Sequence, residues 1–141
     1  MKTALVVHTG VGPTDARPIE EGILNVPGVT FIKRGPCTTP QQVLEAVREA
    51  DAAICIGEPY TREVFAGAPR LRGVVRLGIG VDTIDLVAAS EAGVMAANFP
   101  DFCIDEVANH ALVLLLACAK KLATLDRVMR RVGWAAARRY M

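Results

Sequence analysis

Two glycine-containing runs stand directly after apolar, strand-like segments. Gly78-Ile79-Gly80 follows Val74-Val75-Arg76-Leu77, and Gly57-Glu58-Pro59-Tyr60 follows Ala52-Ala53-Ile54-Cys55-Ile56. Glycine lets a backbone come close enough for peptide N–H groups to receive a carboxylate directly. The same residues can equally do no more than close tight turns, and the residue types leave both readings open. Gly78-Ile79-Gly80 also invites comparison with the dinucleotide fingerprint G-x-G-x-x-G, which opens a helix and has an acid about twenty residues on. Asp101 fits that acid, but Thr83 stands at the third glycine and the helix that follows is short, so the pattern argues against a dinucleotide there. Gly10-Val11-Gly12-Pro13 is a poorer match still, because proline removes an N–H that a phosphate needs.

Other polar residues read as structural. Asp82 and Asp85 could be paired carboxylates for acid–base work, but their spacing suits a cap and a first-turn acid of the next helix. His110 lies one turn after Glu106, which suits an i,i+4 contact better than catalysis. His8, at a strand end, has no evident partner and is a weak candidate for a cleft. Arg76 is expected in a structural ion pair at a sheet edge, and Trp134 as a packing anchor. The four cysteines, Cys37, Cys55, Cys103 and Cys118, form no C-x-x-C pair, so neither a metal site nor a disulfide framework is expected, and a reducing cytoplasm is the natural setting. No residue is assigned as catalytic.

The elements that must position these groups alternate. Ala4–Val7, Val29–Ile32, Ala52–Ile56, Val74–Leu77 and Val94–Ala97 read as buried strands. Thr39-Pro40-Gln41-Gln42 is a strong helix start, with threonine at the cap, proline at the first helical position and glutamine at the third. Thr61 can cap a brief helix, and Ile84 to Ala92 forms another that Gly93 stops. Parallel neighbours need crossovers. The expected fold is therefore α/β: a flavodoxin-like five-stranded parallel sheet with helices on both faces, plus a long C-terminal apolar helix. The expected division is a sheet domain over 1–100 and a helical part over 101–141. From Ile104 to Leu122 one helix is expected, with Asp105 and Glu106 in its first turn and Lys120 and Lys121 in its last. Its centre is apolar on every side, and such a helix requires cover from a second domain or subunit. Several exposed leucines, each worth about 1.5–3 kcal/mol on burial, favour association.

The 141 residues, 52% hydrophobic and 22% charged, suit one globular domain. A net charge of +1 gives no general attraction to nucleic acid or to a membrane surface. The arginines from Arg127 to Arg139 read as a solvated helix face. The run Ala111 to Ala119 is far short of the roughly 20 residues that cross a bilayer, and no signal-peptide core is expected at the start of the chain.

The stretch from Val74 to Asp85, with Asn98-Phe99-Pro100 and Asp105-Glu106-Val107-Ala108, resembles the substrate-domain half of the D-2-hydroxyacid dehydrogenases. The resemblance covers nearly the whole chain and is densest from Pro69 to Leu122. It implies a small 2-oxo or 2-hydroxy acid as ligand, received in a cleft by Gly57, Glu58, Pro59 and Tyr60 on one loop and by Gly78, Ile79 and Gly80 on another. It places Cys103 where related enzymes set an asparagine against substrate and nicotinamide, and Val107 at the adjoining helix entry. Asn109 replaces a usual glutamate, and Glu58 is an odd neighbour for an anionic substrate.

The family's cofactor is NAD(P), clamped by a Rossmann domain that also carries the arginine and histidine of hydride transfer. Those residues fall after the position of Met141. The resemblance therefore implies a substrate-binding domain cut before its cofactor domain, inactive alone and binding no cofactor tightly by itself. The alternative is a stand-alone regulatory or scaffolding module that forms a homo-oligomer through the 104–122 helix. A phosphoacceptor receiver domain would need acids after the first and third strands, where His8-Thr9 and Gly57-Glu58 stand. A flavodoxin-type flavin site would need a Ser/Thr-rich phosphate loop, which Thr9 to Thr14 matches poorly.

Overall fold

Short runs of β-branched and small apolar residues build the sheet. In the computed structural model, which describes residues 3–10 and 17–140, the strands are β1 (Ala4–His8), β2 (Val29–Lys33), β3 (Ala52–Cys55), β4 (Gly73–Arg76) and β5 (Met95–Ala97). All neighbours are parallel, in the order β2-β1-β3-β4-β5. The helices are α1 (Arg17–Leu24), α2 (Pro40–Val47), α3 (Arg62–Gly67) and α4 (Leu86–Glu91). This is the α/β architecture expected from the alternation of patterns, and α1 is an element the sequence reading did not single out. The exit-loop residues Val11 to Thr14 lie outside the described residues.

Local chemistry explains most boundaries. Thr39 caps α2, its side chain accepting from the Gln42 N–H at 3.3 Å. Gln42 reaches back one residue beyond the cap, its Oε1 accepting from the Thr38 N–H at 2.8 Å. Asp85 caps α4 by accepting from the Ala88 N–H at 2.9 Å, whereas Asp82 belongs to the preceding turn and not to the helix. Thr61 stands at the cap of α3 without a side-chain cap bond. Gly93, at φ +70°, ends the segment after α4 in a conformation that other residues adopt at a cost.

Val7, Val43, Val47, Val64 and Val74 are fully enclosed between the sheet and its helices. Each contributes about 1.5–3 kcal/mol of burial. β4 is an interior strand and not an edge, so Arg76 has no ion pair of the expected kind among the described residues. Its Nε donates instead to the Ile56 carbonyl at 2.8 Å.

Contacts within the chain divide it into Met1–Phe102 and Cys103–Met141. The second unit consists of α5 (Ile104–Ala119), α6 (Leu122–Val132), α7 (Trp134–Ala137) and a 3-10 turn (Arg138–Tyr140). The single helix expected through Leu122 ends at Ala119. Lys121 adopts a left-handed conformation, φ +51°, and its N–H bonds to the Cys118 carbonyl, closing α5. Its carbonyl then receives the N–H groups of Thr124 and Leu125 and starts α6. Leu112 to Leu116 are all more than half exposed, and no residue of α5 is buried. His110 is exposed and makes no ion pair with Glu106 among the described residues, and Trp134 is 57% exposed. Among the described residues no helix is long and apolar enough to cross a membrane.

Candidate functional site

The strand order reverses direction at β1 and β3, and in such sheets ligands bind beyond the carboxyl ends near that reversal. Three loops meet there. His8-Thr9-Gly10 leaves β1, Ile56 to Tyr60 leaves β3, and Leu77 to Asp82 leaves β4. Main-chain bonds tie them together: Thr9 N–H to Ile54 O at 2.9 Å, Leu77 N–H to Cys55 O at 2.8 Å, and Tyr60 N–H to Thr83 O at 2.8 Å. The segment after β2 joins them, with Cys37 N–H donating to Thr9 O at 3.0 Å. Gly35 makes that approach possible, since a Cβ there would lie 2.3 Å from the Thr9 carbonyl oxygen.

Tyr60 is fully buried, with its hydroxyl 3.0 Å from Thr9 Oγ1. Burial holds its phenol well above the ordinary tyrosine value, with the Thr9 hydrogen bond acting the other way. It therefore shapes the site from beneath and presents no surface to a ligand. Glu58 is 8% exposed. Its Oε2 accepts from the Ile56 N–H at 2.8 Å, from the Gly57 N–H at 3.4 Å and from the Thr9 hydroxyl at 3.5 Å. The Ile56 and Gly57 N–H groups thus already hold a carboxylate from the loop itself, while the Glu58 N–H has no acceptor among the described residues.

His8 is also buried, with Nδ1 accepting from the Gly10 N–H at 3.1 Å and Nε2 3.4 Å from Glu20 Oε1. Burial lowers its pKa, against the pull of Glu20. Its partners, which the sequence did not suggest, come from the adjoining loop and from α1.

An open groove of about 400 Å³ runs between Pro36-Cys37-Thr38 and Ile56-Gly57-Glu58-Pro59. Gly57 and Pro59 therefore face a groove, with Pro36 and Cys37 opposite, residues the sequence reading had not connected with the site. The signal for them was the Gly35-Pro36 dipeptide in the loop that leaves β2.

The second loop is built differently. The Gly78 carbonyl receives the Phe99 N–H at 3.1 Å, and the Ile79 carbonyl receives the Asn98 side-chain amide at 2.6 Å. The N–H groups of Ile79 and Gly80 have no acceptor among the described residues. Arg76 lies under this turn, its Nη1 2.8 Å from where a Gly78 Cβ would stand. Two unoccupied donors beside a guanidinium can bind a carboxylate.

The same turn does not fit a dinucleotide. Asp82 Oδ2 would lie 2.7 Å and Arg76 Nη1 3.5 Å from a Gly80 Cβ, so a carboxylate and a guanidinium share that side of the turn. The following helix, α4, has six residues, and Asp85 already caps it. Cys103, at the cap of α5, and Val107, 60% exposed with its N–H on the Cys103 carbonyl, belong to the second unit. Among the described residues there is no cluster of three or more potential metal ligands.

Residues 5–138 match the model of the D-isomer specific 2-hydroxyacid dehydrogenase catalytic domain. D-3-phosphoglycerate dehydrogenase of Mycobacterium leprae is 41% identical over 101 residues, which are 71% of this chain and 19% of that protein. Glyoxylate reductase of Pyrococcus furiosus is 37% identical over 95 residues, 67% of this chain and 28% of that protein. The chain thus spans less than a third of the length of these relatives. The crystal structure of a 2-hydroxyacid dehydrogenase from Ketogulonicigenium vulgare superposes with a TM-score of 0.76 at 22% identity, over 96% of this chain and 42% of that one. D-lactate dehydrogenase from Aquifex aeolicus, solved with NAD and lactic acid, gives 0.74 at 17% identity, over 92% of this chain and 38% of that one. From these matches, and from a sheet whose loops converge at its carboxyl edge, the chain belongs to the D-isomer specific 2-hydroxyacid dehydrogenase family and corresponds to its catalytic domain.

Proposed function

We propose that this chain is the substrate-binding part of an NAD(P)-dependent dehydrogenase acting on a small 2-oxo or 2-hydroxy acid. The observation that carries the reading is the second loop. The free N–H groups of Ile79 and Gly80, beside Arg76, form an anion receptor at the carboxyl edge of the sheet of a family member. There the chain orients the substrate carboxylate, while the groove beside Glu58 holds the remainder of the molecule. NAD(P), when bound, would supply the hydride chemistry. The 141 residues alone then oxidise no NADH with glyoxylate, hydroxypyruvate or pyruvate. Four free thiols suit work in the cytoplasm.

Titration of the 15N-labelled chain with glyoxylate or pyruvate tests the assignment. Shifts centred on Ile79 and Gly80 support it, and an unmoved spectrum at millimolar ligand refutes it.

A second reading, a regulatory or scaffolding module, is favoured by α5. Its exposed run from Leu112 to Leu116 suits a second copy of the chain. A monodisperse monomer in light scattering removes the dimer from both readings.

A further inference from the structure

We infer that Glu58 determines specificity by excluding ligands that carry a second negative charge, so that the domain takes 2-oxo acids whose substituent is neutral or cationic. The inference rests on the reading above, in which the substrate carboxylate sits at Ile79 and Gly80. It adds what the rest of the cleft accepts.

Three observations converge. First, the loop after β3 turns two of its N–H groups inward. The Ile56 and Gly57 N–H groups and the Thr9 hydroxyl all point at Glu58 Oε2, so an anion can take these three donors only by displacing that carboxylate. Displacement is opposed on the other side of the loop. Glu58 Oε1 lies 3.0 Å from where a Gly10 Cβ would stand, so the carboxylate is packed against the β1 exit loop, and Glu58 is 8% exposed.

Second, Glu58 is itself a wall of the 400 Å³ groove. Any distal phosphate or carboxylate of a ligand in that groove would meet a like charge in a partly dehydrated setting, where such pairs strongly disfavour the charged form. Third, nothing in the groove compensates. Its other walls are Pro36, Cys37, Thr38, Ile56, Gly57 and Pro59, and none carries a positive charge. Cys37 cannot offer an anion a strong donor, because its Sγ is directed to the carbonyls of Arg34 and Gln42 at 3.7 and 3.6 Å. Of the neighbouring guanidinium groups, Arg34 donates its Nη1 to the Ala46 carbonyl at 2.8 Å, and Arg76 donates its Nε to the Ile56 carbonyl and lies with Nη1 beneath the other loop. The two places thus differ: at the Ile79–Gly80 turn Arg76 Nη1 stands against the Asp82 carboxylate, whereas in the groove no positive side chain stands against Glu58.

The experiment compares 2-oxobutyrate, a monoanion, with 2-oxoglutarate, a dianion bearing a distal carboxylate, on the wild-type chain and on Glu58→Gln. Affinities come from chemical-shift titration of Ile79, Gly80 and Gly57, and the same spectra report whether the variant remains folded. Glutamine keeps a carbonyl oxygen for the Ile56 N–H and removes the charge. The wild-type chain is expected to bind 2-oxobutyrate at least about tenfold more tightly than 2-oxoglutarate, and E58Q to reduce that ratio by about tenfold through tighter dianion binding. Equal or tighter binding of 2-oxoglutarate by the wild-type chain overturns the inference without reference to the variant. A ratio unchanged in folded E58Q also overturns it, while leaving the substrate-binding reading intact. If neither acid perturbs Ile79 and Gly80 in either protein, the substrate-binding reading fails and the inference falls with it.

Discussion

Replacing Thr9 with valine and Tyr60 with phenylalanine, singly and together, tests whether the buried hydroxyl pair holds the base of the cleft. Tyr60 has no exposed surface, and its hydroxyl lies 3.0 Å from Thr9 Oγ1. Tyr60→Phe removes one hydrogen bond and leaves the Thr9 hydroxyl free to donate to the Ile54 carbonyl at 3.3 Å. That loss costs about 0.5–1.5 kcal/mol. Thr9→Val is worse, because it leaves a phenolic O–H buried without a partner and removes a donor from Glu58. Its expected cost is about 1–3 kcal/mol. In the double variant no phenol remains to be orphaned, so the total falls short of the sum by about 1 kcal/mol. Urea unfolding of the four proteins at pH 7.5 reads the three differences. Each kcal/mol lowers the thermal midpoint by about 3–5 °C in a chain of this size. Additivity of the two single effects within about 0.3 kcal/mol would refute the claim that these hydroxyls act as a pair.

Removing the α4 cap with Asp85→Ala costs about 1 kcal/mol, and Asp85→Ser recovers most of it, as urea midpoints will show. Acidification weakens the fold through His8. Burial holds its native pKa below the unfolded value of 6.5, so its contribution is whole above pH 6.5 and is lost as pH falls through the native value. Stability measured from pH 7.5 to 5 falls less in His8→Asn, and an identical slope in both proteins would contradict this assignment. Alkylation at pH 8 labels Cys118 and Cys103 quickly. Cys37 and Cys55 react only on unfolding, since both are buried and burial with Glu58 pushes the Cys55 thiol up to about 12. Intact mass after timed quenching counts the labels.

The strands and the cap at Thr39 were legible in the sequence because their determinants are local, whereas the helix expected from Ile84 starts at Leu86, which makes Asp85 its cap and not a first-turn acid. Ala4-Leu5-Val6-Val7 and Val74-Val75 are short continuous apolar runs of the kind a buried parallel strand requires, and a Thr-Pro start admits few conformations. The two glycine loops were legible for the same reason. What they do was not, because it depends on contacts between residues far apart in the chain. Glu58 reads as an odd neighbour for an anionic ligand until Thr9, forty-nine positions earlier, is brought beside it. Tyr60 reads as a cleft residue until β1 covers its hydroxyl. Arg76 was expected at an edge because no periodicity reveals that β4 lies between β3 and β5. The break at Lys121 escaped notice because a left-handed lysine has no signature of the kind glycine provides.

The margin of the sheet at β5 has a bearing on how such a module survives at high concentration. That strand has three residues, so its outer rim offers little unpaired backbone on which another chain could nucleate fibrils. Clumping through β-edges at this side is suppressed by brevity alone. Attempts to make the polypeptide better behaved in a test tube should therefore spare Met95–Ala97 and place polar replacements among the leucines of α5.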